Sequence, residues 1–174
     1  MRRLLLVCLT VLLLTGCGQP ESYETVMDQV LTPVQHNPMQ PVMELPGDAV
    51  EQVFSENSDR KVYFCDGFTL TLDTYPSGDL EKTLRQTTGF PKEQLDLIAT
   101  EKAGVKHYVC AWSAAGEEAE LICRMCLLDD GNYHYVLTAV APAEQAGELV
   151  QGVWKQVFAS FRLMTPEDVV NSGS

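Results

Sequence analysis

The chain predicts an α+β domain, a mostly antiparallel sheet flanked by helices. Three observations carry that expectation. Runs rich in β-branched and aromatic residues follow one another, separated by Asp-Gly and Ala-Gly turn signals. One short amphipathic stretch, Leu80 to Thr88, interrupts them. A long apolar stripe at helical spacing closes the pattern.

In chain order, the domain is expected to run from residue 42 to residue 163. "PVMEL" reads as a first strand ended by Pro46-Gly47. Val62 to Cys65 and Phe68 to Tyr75 read as a hairpin. Asp66-Gly67 between them suits a type I′ turn, in which both central residues take positive φ. Ser77-Gly78-Asp79 opens a helix over Leu80 to Thr88. Leu80 and Leu84 share a face, Glu81 and Arg85 are placed to pair, and Gly89 is the C-terminal cap. Two strands joined at Lys102-Ala103-Gly104 follow, the second from Lys106 to Ser113. After the loop "AAGEEAE", the stretch "LICRMCLLDD" has a helical alternative. Asp129 and Asp130 oppose the helix dipole there, and Asp130-Gly131 is a hairpin signal, so it reads as a strand. "NYHYVLTAVA" is the next strand, with His134 expected opposite Leu127 across a two-residue turn. One helix starting at Pro142-Ala143 should then present Leu149, Val153, Trp154, Val157 and Phe158 as a single stripe. Residues 164–174 form a polar tail.

The N-terminal segment has a different character. Arg2 and Arg3 precede an apolar run from Leu4 to Leu14, too short to span a bilayer and suited to the h-region of a secretory signal. Leu14-Thr15-Gly16-Cys17 resembles the lipobox of bacterial lipoproteins. That resemblance implies cleavage of residues 1–16 and acylation of Cys17, the expected lipidation site. It also implies a membrane partner reached through that lipid, on the extracytoplasmic face of the cell membrane. More than one acyl chain is needed for stable anchoring, and a diacylglyceryl group meets that need. Residues 17–41, with Pro20, Pro33, Pro38 and Pro41, read as a flexible tether, within which Ser22 to Leu31 has the pattern of a short helix.

The order of elements, "DDGNYHYVLTAVAP" leading into a helix and the ending "VFASFRL" resemble the PsbP-like α/β/α sandwich over about residues 42–163. They are also similar to uncharacterised clostridial lipoproteins. The resemblance implies a fold and a mode of tethering, and it implies no activity.

Charge narrows the partners. The chain of 174 residues has 12 basic and 24 acidic residues, a formal charge of −12. Loss of Arg2 and Arg3 with the signal makes it −14. Such a chain is a poor partner for nucleic acid and for anionic lipid headgroups, and its acidity reads as a solvated surface ahead of a site for a cationic ligand. The expected partners are the membrane and an unknown envelope protein or small ligand, with the protein a monomer.

Chemistry-bearing residues are few. Cys123 and Cys126 have C-x-x-C spacing, but in a strand residues three apart face opposite sides and lie ~10 Å apart, beyond the ~7 Å limit of a disulfide. The remaining cysteines allow a bridge Cys65–Cys110 as the first choice and Cys110–Cys123 as the second, against four reduced thiols. His36, His107 and His134 fall into no metal-ligand spacing, and structural or surface roles are expected for them. Glu117 to Glu120, Asp129 and Asp130 read as solvated acidic turns without EF-hand spacing. No G-x-S-x-G, P-loop or H-E-x-x-H motif is present. The expected function is a non-catalytic binding or accessory module of the cell envelope, with no cofactor and no metal. The alternatives are a structural partner of another envelope protein and, less favoured, a thiol-redox or other extracytoplasmic enzyme. Tyr63, Phe68, Tyr75, Tyr108, Trp112, Tyr133, Tyr135 and Trp154 are core candidates.

Overall fold

A computed structural model of the chain describes residues 37–53, 59–164 and 168. They belong to one compact unit, His36–Ser174, and the second unit, Met1–Gln35, lies outside the described residues. So do the expected signal peptide, the lipidation site Cys17, the short helix at Ser22 to Leu31, His36 and nearly all of the polar tail.

The fold is α+β. A sheet of seven strands has the order β2-β3-β4-β8-β7-β6-β5, with every pairing antiparallel. Its strands are β2 (Val50–Gln52), β3 (Arg60–Cys65), β4 (Phe68–Pro76), β5 (Ile98–Lys102), β6 (Val105–Ala115), β7 (Glu120–Asp129) and β8 (Tyr133–Pro142). A second sheet pairs β1 (Gln40–Val42) with β9 (Arg162–Met164). Among the described residues, α1 (Leu80–Thr88), α2 (Ala143–Gln151) and α3 (Val153–Ser160) complete it, with a 3-10 turn at Lys92–Gln94. Two meanders, β2-β3-β4 and β5-β6-β7-β8, meet in the middle where β8 returns to pair with β4.

Strand alternation sorts the side chains onto two faces. The front face gathers Tyr63, Leu70, Leu72, Cys126, Leu128, Tyr135 and Leu137 with Trp154, Val157 and Phe158 of α3. Phe68 meets Trp154 edge-to-face at 6.1 Å, and the Arg124 guanidinium lies 4.7 Å from the centre of the Phe158 ring. The back face is sealed by α1. Its Leu84, fully buried, packs against Cys110, Met125, Leu127 and Val136. The sequence fits α1 at both ends. Asp79 accepts from the Lys82 N–H at 3.0 Å, Gly89 takes a left-handed φ of 81°, and Arg85 meets Glu81 at 3.1 Å.

Several expectations are corrected. Gln40 and Pro41, assigned to the tether, join Val42 in β1, whereas Met43 to Leu45 lie outside any strand. The β3–β4 turn is not type I′. Only Gly67 has positive φ (77°), and Asp66 instead gives its N–H to the Asp48 carboxylate. The type I′ pattern stands at Ala103 (52°) and Gly104 (79°), between β5 and β6. His134 pairs with Asp129, not Leu127. The cause is Asp130, whose Oδ1 accepts the N–H groups of both Asn132 and Tyr133 and lengthens the loop. The slip is two residues, so every side chain keeps its face. The closing helix is two helices. Gly152, at φ −99° and ψ −107°, leaves the helical region and re-aims α3. Strands β2 and β9 carry no clear sequence signal, being three residues long.

Candidate functional site

The C-x-x-C pair sits on β7 with its members on opposite faces. Cys126 belongs to the front cluster, while Cys123 stands opposite Trp112 and Val140 on the back. Cys65 and Cys110 are not brought together either. Strands β4, β8 and β7 lie between them, about 19 Å at the usual ~4.8 Å spacing, and the two thiols face opposite sides. The expected first-choice bridge is therefore corrected. Cys110 and Cys123 share the back face as diagonal neighbours, a relation that sets Cα atoms ~7–8 Å apart. Among the described residues Cys65, Cys110, Cys123 and Cys126 are free thiols. Burial pushes Cys110 and Cys126 up to about 11 and raises Cys123, and burial with Asp48 pushes Cys65 up to about 11. A reactive thiol needs the opposite shift.

A second polar group emerges that sequence reasoning missed. His134, 2% exposed, places Nδ1 2.9 Å from the Thr83 hydroxyl, and its Nε2 is 3.9 Å from Asp129. The order Asp, His, hydroxyl invites comparison with a nucleophilic triad. Thr83 lies on the sheet-facing side of α1 and is itself only 4% exposed. The group instead fastens α1 to the sheet. Burial lowers the His134 pKa against the opposing pull of Asp129, Asp130 and Asp79. Among the described residues no three His, Cys, Asp or Glu side chains form a metal cluster.

Of the hollows on the surface, the one at Ser113–Glu120 is a single acidic loop curled on itself. The other substantial one is built from several elements. The sheet is wider than its front helical layer, so the β5–β6 hairpin projects past α3. Between them opens a cleft of about 630 Å³, within the usual range for small-molecule sites. Its floor is Cys126 and Leu128 of β7, Phe158 of α3, and Phe161, Leu163 and Met39 around the small sheet. The row Leu128–His107–Thr100 crosses β7, β6 and β5 on this face, and Lys102 lies two residues beyond Thr100, so Lys102 and His107 share the front side of the hairpin.

The mouth carries Lys102, His107, Asp130, Arg162 and Asp168. Asp130 is spoken for. Its Oδ2 accepts from the Tyr135 hydroxyl at 2.9 Å, which in turn accepts the Met39 N–H at 2.7 Å. Arg162 stands 4.0 Å from Asp168. Lys102 makes no ion pair among the described residues. Burial, and then the charge of Lys102, lowers His107, so its imidazole is neutral at neutral pH. The pair flanks the Ala-Gly hairpin turn as diagonal neighbours, Lys102 opposite Val105 and His107 opposite Thr100. The floor had no local signal in the sequence, because its parts come from segments far apart in the chain.

No protein-family model matches the chain, and no curated protein matches it. Among solved structures, it is similar to one from Bacteroides thetaiotaomicron VPI-5482, with a TM-score of 0.48 and 13% identity, covering 73% of this chain. The chain spans 46% of that protein's length. It is also similar to LpqN, described as involved in cell envelope biogenesis of Mycobacterium tuberculosis. There the TM-score is 0.48 with 11% identity, over 75% of this chain and 88% of that one. Neither likeness carries an argument about function.

Proposed function

We propose that this chain is a lipid-tethered, extracytoplasmic binding module that acts without catalysis. In this reading residues 1–16 are a cleaved signal, Cys17 carries the lipid, and the domain holds a small apolar-bodied ligand at the membrane surface. The carrying observation is the cleft: an apolar floor of Cys126, Leu128, Phe158, Phe161 and Leu163 under a mouth of a few polar groups. The lipobox residues Leu14 to Cys17 support the anchor. Helices on both faces of an antiparallel sheet are what the PsbP-like resemblance implies, and they support that reading of the fold. Among the described residues no helix is long and apolar enough to cross a membrane, and the lipid on Cys17 is the proposed membrane contact.

Two measurements test the two halves. For the anchor, the full chain and its Cys17→Ser variant are expressed in a bacterium and partitioned with a phase-separating detergent. The parent enters the detergent phase, lacks residues 1–16 and gains the mass of an acylglyceryl group, while the variant stays in water. Equal partitioning of the two refutes the anchor. For the cleft, the uncharged fluorophore N-phenyl-1-naphthylamine binds the Cys17→Ser chain at one site. Ala159→Trp abolishes that binding, because Ala159 is exposed and lines the cleft. An unchanged signal in Ala159→Trp removes the cleft from the reading.

A further inference from the structure

We propose that the cleft selects a single-chain amphiphile with an anionic head, a long-chain carboxylate or monoalkyl phosphate taken up as a free molecule. This rests on the cleft being the binding site. The apolar chain lies on the floor formed by Leu128, Phe158 and Phe161, and Lys102 with His107 holds the head.

The floor sets the first half of the specificity. Leu128, Cys126 and Phe161 are 1%, 6% and 4% exposed, and Phe158 9%. None presents a charge. Cys126 adds a protonated sulfur that behaves as a small apolar group. Along the outer edge of the floor, Val109 of β6 pairs with Ile98 of β5, which is 66% exposed. The apolar strip therefore continues outward along the hairpin from Cys126, which pairs with Val109 on the other side. A strip that crosses three strands suits an extended chain rather than a compact ring system.

The mouth sets the second half. The chain has twice as many acidic as basic residues, yet the mouth sets Lys102 and Arg162 evenly against Asp130 and Asp168, with the imidazole of His107 beside them. Their engagement tips that balance. Both carboxylate oxygens of Asp130 already accept hydrogen bonds from Asn132, Tyr133 and Tyr135. Asp168 faces Arg162. Lys102 has no ion-pair partner among the described residues, and its charge reaches His107. A cation beside a neutral imidazole offers one charge and one N–H donor on the same side of the hairpin. That combination matches a carboxylate or phosphate oxygen pair. A cationic head would meet Lys102 as a like charge, and an uncharged head would leave it unpaired.

The test uses displacement of N-phenyl-1-naphthylamine from the full chain carrying Cys17→Ser, with three probes of equal chain length, all below their micelle concentrations. Dodecanoate displaces the fluorophore at least about tenfold more tightly than dodecyl maltoside or dodecyltrimethylammonium. Lys102→Glu removes that preference, read within the variant as the ratio of dodecanoate to dodecyl maltoside displacement. Lys102 is exposed, so the substitution leaves the fold intact. Equal displacement by all three probes overturns the anionic preference and leaves the cleft reading standing. Failure of the fluorophore itself to bind overturns both. Sedimentation with phosphatidylglycerol vesicles separates the sources of the head group. Co-sedimentation without displacement by dodecanoate means a bilayer surface is recognised, and the proposal falls.

Discussion

Alkylation of the native thiols tests whether the C-x-x-C pair has any reactive chemistry. An ordinary cysteine thiol is placed at 9.0, and Cys126 and Cys110 are pushed up to about 11 by burial. Each pH unit is tenfold in thiolate, so about two units leave roughly a hundredth of the usual thiolate near neutral pH. Access lowers the rate further, because Cys110, Cys123 and Cys126 are 4%, 4% and 6% exposed. The assay is iodoacetamide labelling of the Cys17→Ser chain between pH 7 and 9, with peptide mapping, in buffer and in urea. The native rates at Cys110 and Cys126 should fall at least about a hundredfold below the urea rates and climb with pH throughout. Cys65, on the half-buried end of β3, should be the fastest of the four. Labelling of Cys123 or Cys126 as fast in buffer as in urea, levelling off near pH 7, would refute the reasoning and restore a redox role.

Further predictions concern what holds the domain together. Leu84→Ala removes the one fully buried leucine that seats α1 on the back face, and should cost about 3 kcal/mol in urea unfolding. A loss under about 1 kcal/mol would mean α1 is not the cover of that face. Acidification should weaken the domain through His134. Its folded pKa lies below the ordinary 6.5, so the folded state binds fewer protons and stability is lost as pH falls through and below about 6.5. Melting temperature between pH 7.5 and 5.5 should fall more steeply for the parent than for His134→Asn, and equal slopes would contradict this. Arg60→Ala leaves the buried Asp73, 6% exposed, without its bidentate partner at 2.6 and 3.1 Å. Since Arg60 is half exposed, a loss of about 1–2 kcal/mol is expected, read by the same unfolding.

Local signals were legible where one short stretch holds the whole cause. Asp79 to Gly89 contains its own caps and face, so α1 has the expected limits. The strand reading of "LICRMCLLDD" also stands, and with it the opposite faces of Cys123 and Cys126. The failures have specific physical origins. The Asp130 side chain captures two backbone N–H groups, and the β7–β8 pairing slips by two. Gly152 breaks a stripe whose periodicity alone reads as continuous. The pairing of β1 with β9 joins segments more than a hundred residues apart, and no local pattern announces it. The cleft shares that origin. Its walls are Met39, the β5–β6 turn, β7 and the end of α3, and they meet only in the folded chain. Of its parts, the β5–β6 turn was readable from the sequence, whereas Lys102 read as part of that turn and His107 as a structural or surface residue.

The most direct test is an amide chemical-shift titration of the ¹⁵N-labelled Cys17→Ser chain with dodecanoate. Shifts concentrated at Lys102 to His107 and at Phe158 to Leu163, saturating at one equivalent, are the predicted result. Shifts centred on α1 and the back of the sheet, or no shifts at all, would contradict the account.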